Sequence, residues 1–264
     1  MVDKSSSTAR LRAHQLELGY AERCVVRGVE VEIRGGSFTA IVGANGCGKS
    51  TLLRGLARLL TPRRGAVLLD SASISHLKTR AVAQQIGLLP QSPISPEGIT
   101  VRELVARGRY PHQGLLSRAS AEDEAVVNRA MEVTDTATLA DRLVDELSGG
   151  QRQRVWVATA IAQDTPIMLL DEPTTFLDLA NQIELMNLFR DLNQQGRTMV
   201  AVLHELNQAA RYATDVIAMK DGEVAITGTP EQVFTAANLA EIFGLNCLVI
   251  EDPVTGGPLI VPSA

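Results

Sequence analysis

Eight residues, Gly43-Ala44-Asn45-Gly46-Cys47-Gly48-Lys49-Ser50, constrain the fold of this chain more than any other segment. They fit the pattern GxxxxGK[ST]. A short apolar run, residues 37–42, precedes them, and residues 49–60 follow, with Leu52, Leu53, Leu56 and Leu59 at helical spacing. Strand, glycine-rich turn and helix in that order aim successive backbone N–H groups and a helix N-terminus at one point, which favours a phosphate. Lys49 can then reach the β- and γ-phosphates of a nucleotide such as ATP, and the Ser50 hydroxyl can ligate Mg²⁺. A chance glycine turn before a helix is the alternative, and the flanking strand and helix oppose it.

The rest of the chain supports an α/β fold. Residues 13–18 and 24–33 alternate like paired strands. Strands are expected at 66–69, 86–89, 167–170 and 198–203. Helices are expected at 78–85, 100–109, 121–133, 149–163, 179–193 and 205–212. Such alternation implies a largely parallel sheet covered on both faces. Hairpins are expected around Asp221-Gly222 and over residues 252–258, with a helix near 238–243. The organisation read from this is one domain over residues 12–264 after a disordered lead-in, 1–11. Residues 12–91 and 164–230 form a core with an antiparallel β subdomain, 92–163 a helical insert, and 231–264 a C-terminal helix and hairpin.

Composition narrows the partners. The chain has 25 basic and 30 acidic residues and no strongly basic stretch, which argues against nucleic acid. Aromatic residues at 3% leave few stacking platforms for single strands. Cys24, Cys47 and Cys247 are scattered and form no zinc pattern, as expected in a reducing cytosol. The N-terminus lacks the apolar core of a signal peptide, and no apolar run approaches the ~20 residues of a membrane helix. Any membrane association must come through a partner.

Ile167-Met168-Leu169-Leu170-Asp171-Glu172 is an apolar strand ending in two carboxylates. Ligands of parallel sheets bind beyond the carboxyl ends of strands. Asp171 is suited to the Mg²⁺ shell, and Glu172 to polarising water as a general base. Leu147-Ser148-Gly149-Gly150-Gln151 then offers a hydroxyl and bare backbone N–H groups at another helix start. With this pentapeptide shortly before the Asp171 strand, the chain resembles the ATP-binding cassette family, whose signature is LSGGQ.

The resemblance covers nearly the whole chain. It implies a P-loop nucleotide-binding domain with an antiparallel β subdomain and a helical insert, and ATP and Mg²⁺ as cofactors. ATP would be held by Gly43 to Ser50 with Thr51, and by Ser148, Gly149, Gly150 and Gln151. Gln91 resembles the glutamine that senses Mg²⁺ and the attacking water, beside Ser50 and Asp171. His204 resembles the switch histidine that contacts the γ-phosphate, and Tyr20 the aromatic that stacks on adenine. Thr175-Phe176-Leu177-Asp178 resembles the D-loop, where many members have Ser-Ala.

In that family two cassettes sandwich two nucleotides, so an ATP-dependent homodimer is implied, with Ser148 acting in trans. Two further segments, residues 99–112 and 203–212, resemble the ATPases of iron–siderophore importers. There the region near 107–112 receives a helix of the transmembrane permease, and an extracytoplasmic binding protein supplies the cargo. The implied place is the cytoplasmic face of the plasma (inner) membrane, peripheral through the permease. Cobalamin and haem importers are close alternatives. A regulatory pseudo-ATPase is opposed by the intact Lys49, Asp171, Glu172 and His204. Soluble cassettes acting on DNA or ribosomes usually carry two cassettes or a coiled-coil insert, for which about a hundred residues between Lys49 and Ser148 leave no room.

Overall fold

The computed structural model describes residues 9–114 and 119–263. In chain order the elements are β1 Ala9–Tyr20, β2 Arg23–Arg34, β3 Phe38–Gly43, α1 Lys49–Leu56, β4 Arg64–Leu69, β5 Ala72–Ser73, α2 Thr79–Ala83 and β6 Ile86–Leu89. Then come α3 Val101–Ala106, α4 Ala121–Val133, α5 Gly149–Ala162, β7 Ile167–Asp171, α6 Leu179–Gln194, β8 Thr198–Val202 and α7 Leu206–Tyr212. The chain ends with β9 Asp215–Lys220, β10 Glu223–Gly228, α8 Pro230–Val233, α9 Ala236–Phe243, β11 Cys247–Glu251 and β12 Pro258–Pro262. They form two compact units, one of residues up to 77 with 198 onwards, the other of residues 78–197.

In the first unit β3 lies between β8 and β9, parallel to both, and β10 pairs antiparallel with β9. β8 is buried throughout and β3 up to its last residue, as near-continuous apolar strands of a covered parallel sheet must be. β1 pairs antiparallel with β2 and β4, with register shifts that curve it. The expected lead-in falls for residues 1–8 outside the described residues, and Ala9 already pairs with Arg34 in β1. Helix α1 is shorter than its leucine spacing predicts. Arg58 adopts φ +60°, and the Leu59 and Leu60 N–H groups donate back to the Arg54 carbonyl, closing the helix in the left-handed way usually left to glycine. Leu52, Leu53 and Leu56 are buried as expected, whereas Leu59 is 65% exposed.

The second unit contains β6 paired parallel with β7, in register Leu89↔Leu170, together with α2 to α6. It extends beyond the 92–163 insert expected from the sequence. Thr100, Ser120 and Ser148 start α3, α4 and α5 as capping boxes with Glu103, Asp123 and Gln151. The helix expected over 100–109 is α3 followed by a tight turn, Arg107–Arg109. Asp123 also takes the Arg109 Nε–H at 2.9 Å, with both side chains nearly buried, and the guanidinium holds its carboxyl down at about 2. No helix among the described residues is long and apolar enough to cross a membrane.

Candidate functional site

In the first unit, β3 runs into the glycine-rich loop and α1 leaves it. Gly43 (φ 155°) could carry no side chain, since a Cβ there would lie 2.4 Å from the Met219 carbonyl oxygen and 2.6 Å from Cys47 Sγ. Gly48 takes φ 105° as the residue before α1, so that helix starts with no side-chain cap and no acidic residue in its first turn. Its N-terminal N–H groups thus present positive potential that no side chain of the cap position offsets. Lys49, 5% exposed, donates from Nζ to the Gly43 and Ala44 carbonyls at 2.8 and 3.0 Å, which holds the ammonium inside the loop's curve. The loop is tied down where Gly222 N–H donates to the Cys47 carbonyl, at the β9–β10 turn.

Cys47 stands beside Lys49 just before a helix start, two features that from sequence favour a thiolate. An inert buried thiol is the alternative, and the structure favours it. Burial raises the thiol's pKa, and this outweighs the lowering by Lys49, so Cys47 is a packed thiol filling the space under Gly43.

His204 follows Leu203, whose N–H donates to the Ile41 carbonyl at 3.1 Å, so the histidine and the loop leave adjacent parallel strands at the same end. Tyr20 closes β1 and is 45% exposed, and its hydroxyl accepts from Arg54 Nη1 at 3.2 Å. That bond links it to α1, the helix of Lys49 and Ser50.

The second unit brings another set together. Gln91 lies two residues beyond β6 and Asp171 ends β7, and the Leu89↔Leu170 register puts both at the carboxyl end of this strand pair. Asp171 is 2% exposed. Glu172 adopts φ +52°, and its carbonyl accepts from the Thr175 N–H and hydroxyl. Ser148, Gly149 and Gly150 open α5. The Ser148 hydroxyl accepts from the Gln151 N–H, and the Gln151 side chain returns to the Ser148 N–H.

Among the described residues nothing demands glycine at 149 or 150. Neither has a positive φ, and added Cβ atoms would meet only ordinary contacts, 3.7 Å to Phe176 and 3.4 Å to Leu177. Glycine is a weaker helix former than alanine, so packing and propensity both leave the pair unexplained.

Two neighbours escaped the sequence reading. Gln153 Nε2 donates to the Pro173 carbonyl at 2.8 Å, fastening α5 to the loop after Glu172. Arg154 reaches Asn181 and, at 2.7 Å, Glu184, tying α5 to α6. Both are polar residues with long-range partners, and periodicity carries no signal for such contacts.

A nucleotide-binding α/β fold with a phosphate loop, a strand-end carboxylate pair and this helix start defines an ATP-binding cassette. The chain belongs to the ABC transporter family, whose model matches residues 26–175. It is 54% identical over 259 residues, 98% of this chain and 96% of the relative, to the ferric enterobactin transport ATP-binding protein FepC of Escherichia coli (strain K12). Among solved structures it resembles an inward-facing conformation of an ABC transporter described as a putative metal-chelate type, with TM-score 0.82, 29% identity and coverage of 97% and 98%. It also resembles the dimeric bacterial ABC transporter cassette MJ0796, with TM-score 0.76, 28% identity and coverage of 83% and 98%. Its activity is that of the family, ATP hydrolysis coupled to transport.

Proposed function

We propose that this chain energises import of ferric siderophores, as an ATP-dependent homodimer held by permease subunits at the cytoplasmic face of the plasma membrane. The relative that is a ferric enterobactin transport ATP-binding protein supports the cargo class. The observation that carries the dimer is the start of α5, where two glycines that the chain's own packing does not need leave a helix N-terminus open. In this reading Ser148, Gly149, Gly150 and Gln151 serve the nucleotide of the second copy.

The reaction is ATP + H₂O to ADP + phosphate. Gly43 to Ser50 and Thr51 wrap the phosphates, with Lys49 on the β/γ oxygens and Tyr20 against the adenine. Glu172 orients the attacking water and accepts its proton, and His204 contacts the γ-phosphate. Ser50, Gln91 and Asp171 would hold Mg²⁺. They are hard oxygen donors. That suits an ion which takes most of its ligands from phosphate and water. When bound, Mg²⁺ neutralises charge on the β- and γ-phosphate oxygens.

A groove of about 410 Å³ in the second unit suits the permease. Ile94, Pro96, Tyr110, Pro111 and Trp156 line it, with Ile94 and Tyr110 exposed. The Trp156 Nε1–H is buried without a partner among the described residues.

Uptake of labelled ferric siderophores by a strain lacking this chain tests the cargo. Uptake should be lost, restored by the wild-type chain and not by Lys49→Ala, which removes the phosphate-facing charge. Full uptake in the deletion strain, with no second ATPase present, would reject the siderophore reading and leave the cassette assignment intact.

A further inference from the structure

We propose that Gln163 is a positioning residue, the joint through which the docking segment Arg107–His112 acts on β6, the strand that leads into the Gln91 loop. The proposal rests on the permease-docking reading given above, and every contact in it lies within the second unit.

The docking segment is clamped to the end of α5. A Cβ on Gly108 would lie 2.5 Å from the Thr159 carbonyl oxygen, so the Arg107–Arg109 turn lies backbone to backbone against the helix. Arg109 Nη1 donates to the Ala162 carbonyl at 3.0 Å while its Nε is held by Asp123. His112 Nε2–H donates to the Gln163 carbonyl at 2.7 Å. Whatever displaces this segment therefore displaces Gln163.

The side chain of the same residue reaches a different element. Gln163 Oε1 accepts the Leu88 N–H at 3.1 Å, filling a position on β6 that would otherwise want a strand partner. Gly87 shows that this contact is built in. Its φ does not require glycine, yet a Cβ there would lie 2.9 Å from Gln163 Oε1 and 2.6 Å from Thr165 Oγ1. A glycine inside a strand marks such a close approach. Leu88 is three residues from Gln91, so the backbone of Gln163 answers to the docking segment while its amide holds the strand entering the Gln91 loop. A parallel route exists through α2, because Arg80 Nε and Gln84 Nε2 both donate to the Pro111 carbonyl at 2.8 Å. It enters β6 at its beginning and not beside Gln91.

Two readouts test the joint. In the isolated chain, exchange of the Leu88 amide hydrogen should quicken about tenfold or more in Gln163→Ala, and stay near wild type in Gln163→Glu, which keeps an acceptor oxygen. In the complex with its permease, the ratio of stimulated to basal hydrolysis should fall by about threefold or more in Gln163→Ala and in Gly87→Ala, with Gln163→Glu again near wild type. Gly87→Ala displaces the amide without removing it, so the two variants reach the same state by different routes. Melting curves confirm that each is folded. Unchanged Leu88 exchange in Gln163→Ala overturns the link itself. Unchanged ratios in both variants, or a loss seen in Gln84→Ala alone, overturn its role in coupling. A wild-type complex without permease stimulation would overturn the transport reading and this role with it, and the exchange result would still stand apart.

Discussion

Glu172 is held at φ +52°, a left-handed conformation that costs a non-glycine residue on the order of 1–3 kcal/mol. Its carbonyl takes two bonds from Thr175, and the next residue, Pro173, is gripped by Gln153, so the surrounding loop enforces the conformation. If Glu172 orients the reacting water, as proposed above, this hold keeps its backbone fixed for the task. Glu172→Gln keeps the shape and removes the base, so hydrolysis should drop by roughly two orders of magnitude or more while ATP binding persists. Steady-state phosphate release and nucleotide binding, measured on one preparation, check this. Near-normal turnover free of contaminating ATPase would remove Glu172 from the chemistry.

At the scale of elements, α1 shows how packing overrides propensity. Gly55 sits inside the helix, where alanine would ordinarily gain about 1 kcal/mol. Here a Cβ would lie 2.4 Å from Leu18 Cδ1, and Leu18 is fully buried in β1. Overpacking of this kind costs ~1–3 kcal/mol. Gly55→Ala should therefore lower the melting temperature, and an unchanged or higher one would show that β1 yields.

The C-terminal hairpin offers a second test. Asp252 accepts from the Val254 N–H, Arg211 and the Thr255 hydroxyl, and these bonds lower its pKa to about 2. A depressed folded value means the stabilisation is present above the ordinary carboxylate range and lost as pH falls through about 2. Asp252→Asn should thus have a lower urea midpoint than wild type at pH near 6, and the gap should close on acidification. A gap independent of pH would assign the difference to packing. The elements legible in sequence were those whose signals are local. The motif gave the start of α1, the apolar runs β3, β7 and β8, and Asp221-Gly222 the turn between β9 and β10. What escaped depends on distant partners: the stop of α1 at Arg58, the burial that raises the Cys47 thiol, and the grip of Gln153 on Pro173.

At the scale of the whole molecule, one chain holds one phosphate loop, in the first unit, and one signature helix start, in the second. If the signature serves the nucleotide of a second copy, Lys49→Ala and Ser148→Arg damage each composite site from opposite subunits. Each mutant homodimer then has two defective sites and should hydrolyse poorly. In a mixed dimer, one site collects both lesions and the other pairs an intact Lys49 with an intact Ser148. Arginine at 148 would also break the capping box with Gln151, at a cost of about 1 kcal/mol to the helix, so folding of that variant is to be checked by its melt. Isolated through two tags, the heterodimer should regain one ATP site, read as ATP-dependent dimer stability alongside hydrolysis. Recovery above both homodimers supports action in trans. If Ser148 acts in cis, the mixture gives only the average of two damaged enzymes, and the argument from the unneeded glycines at 149 and 150 falls with it.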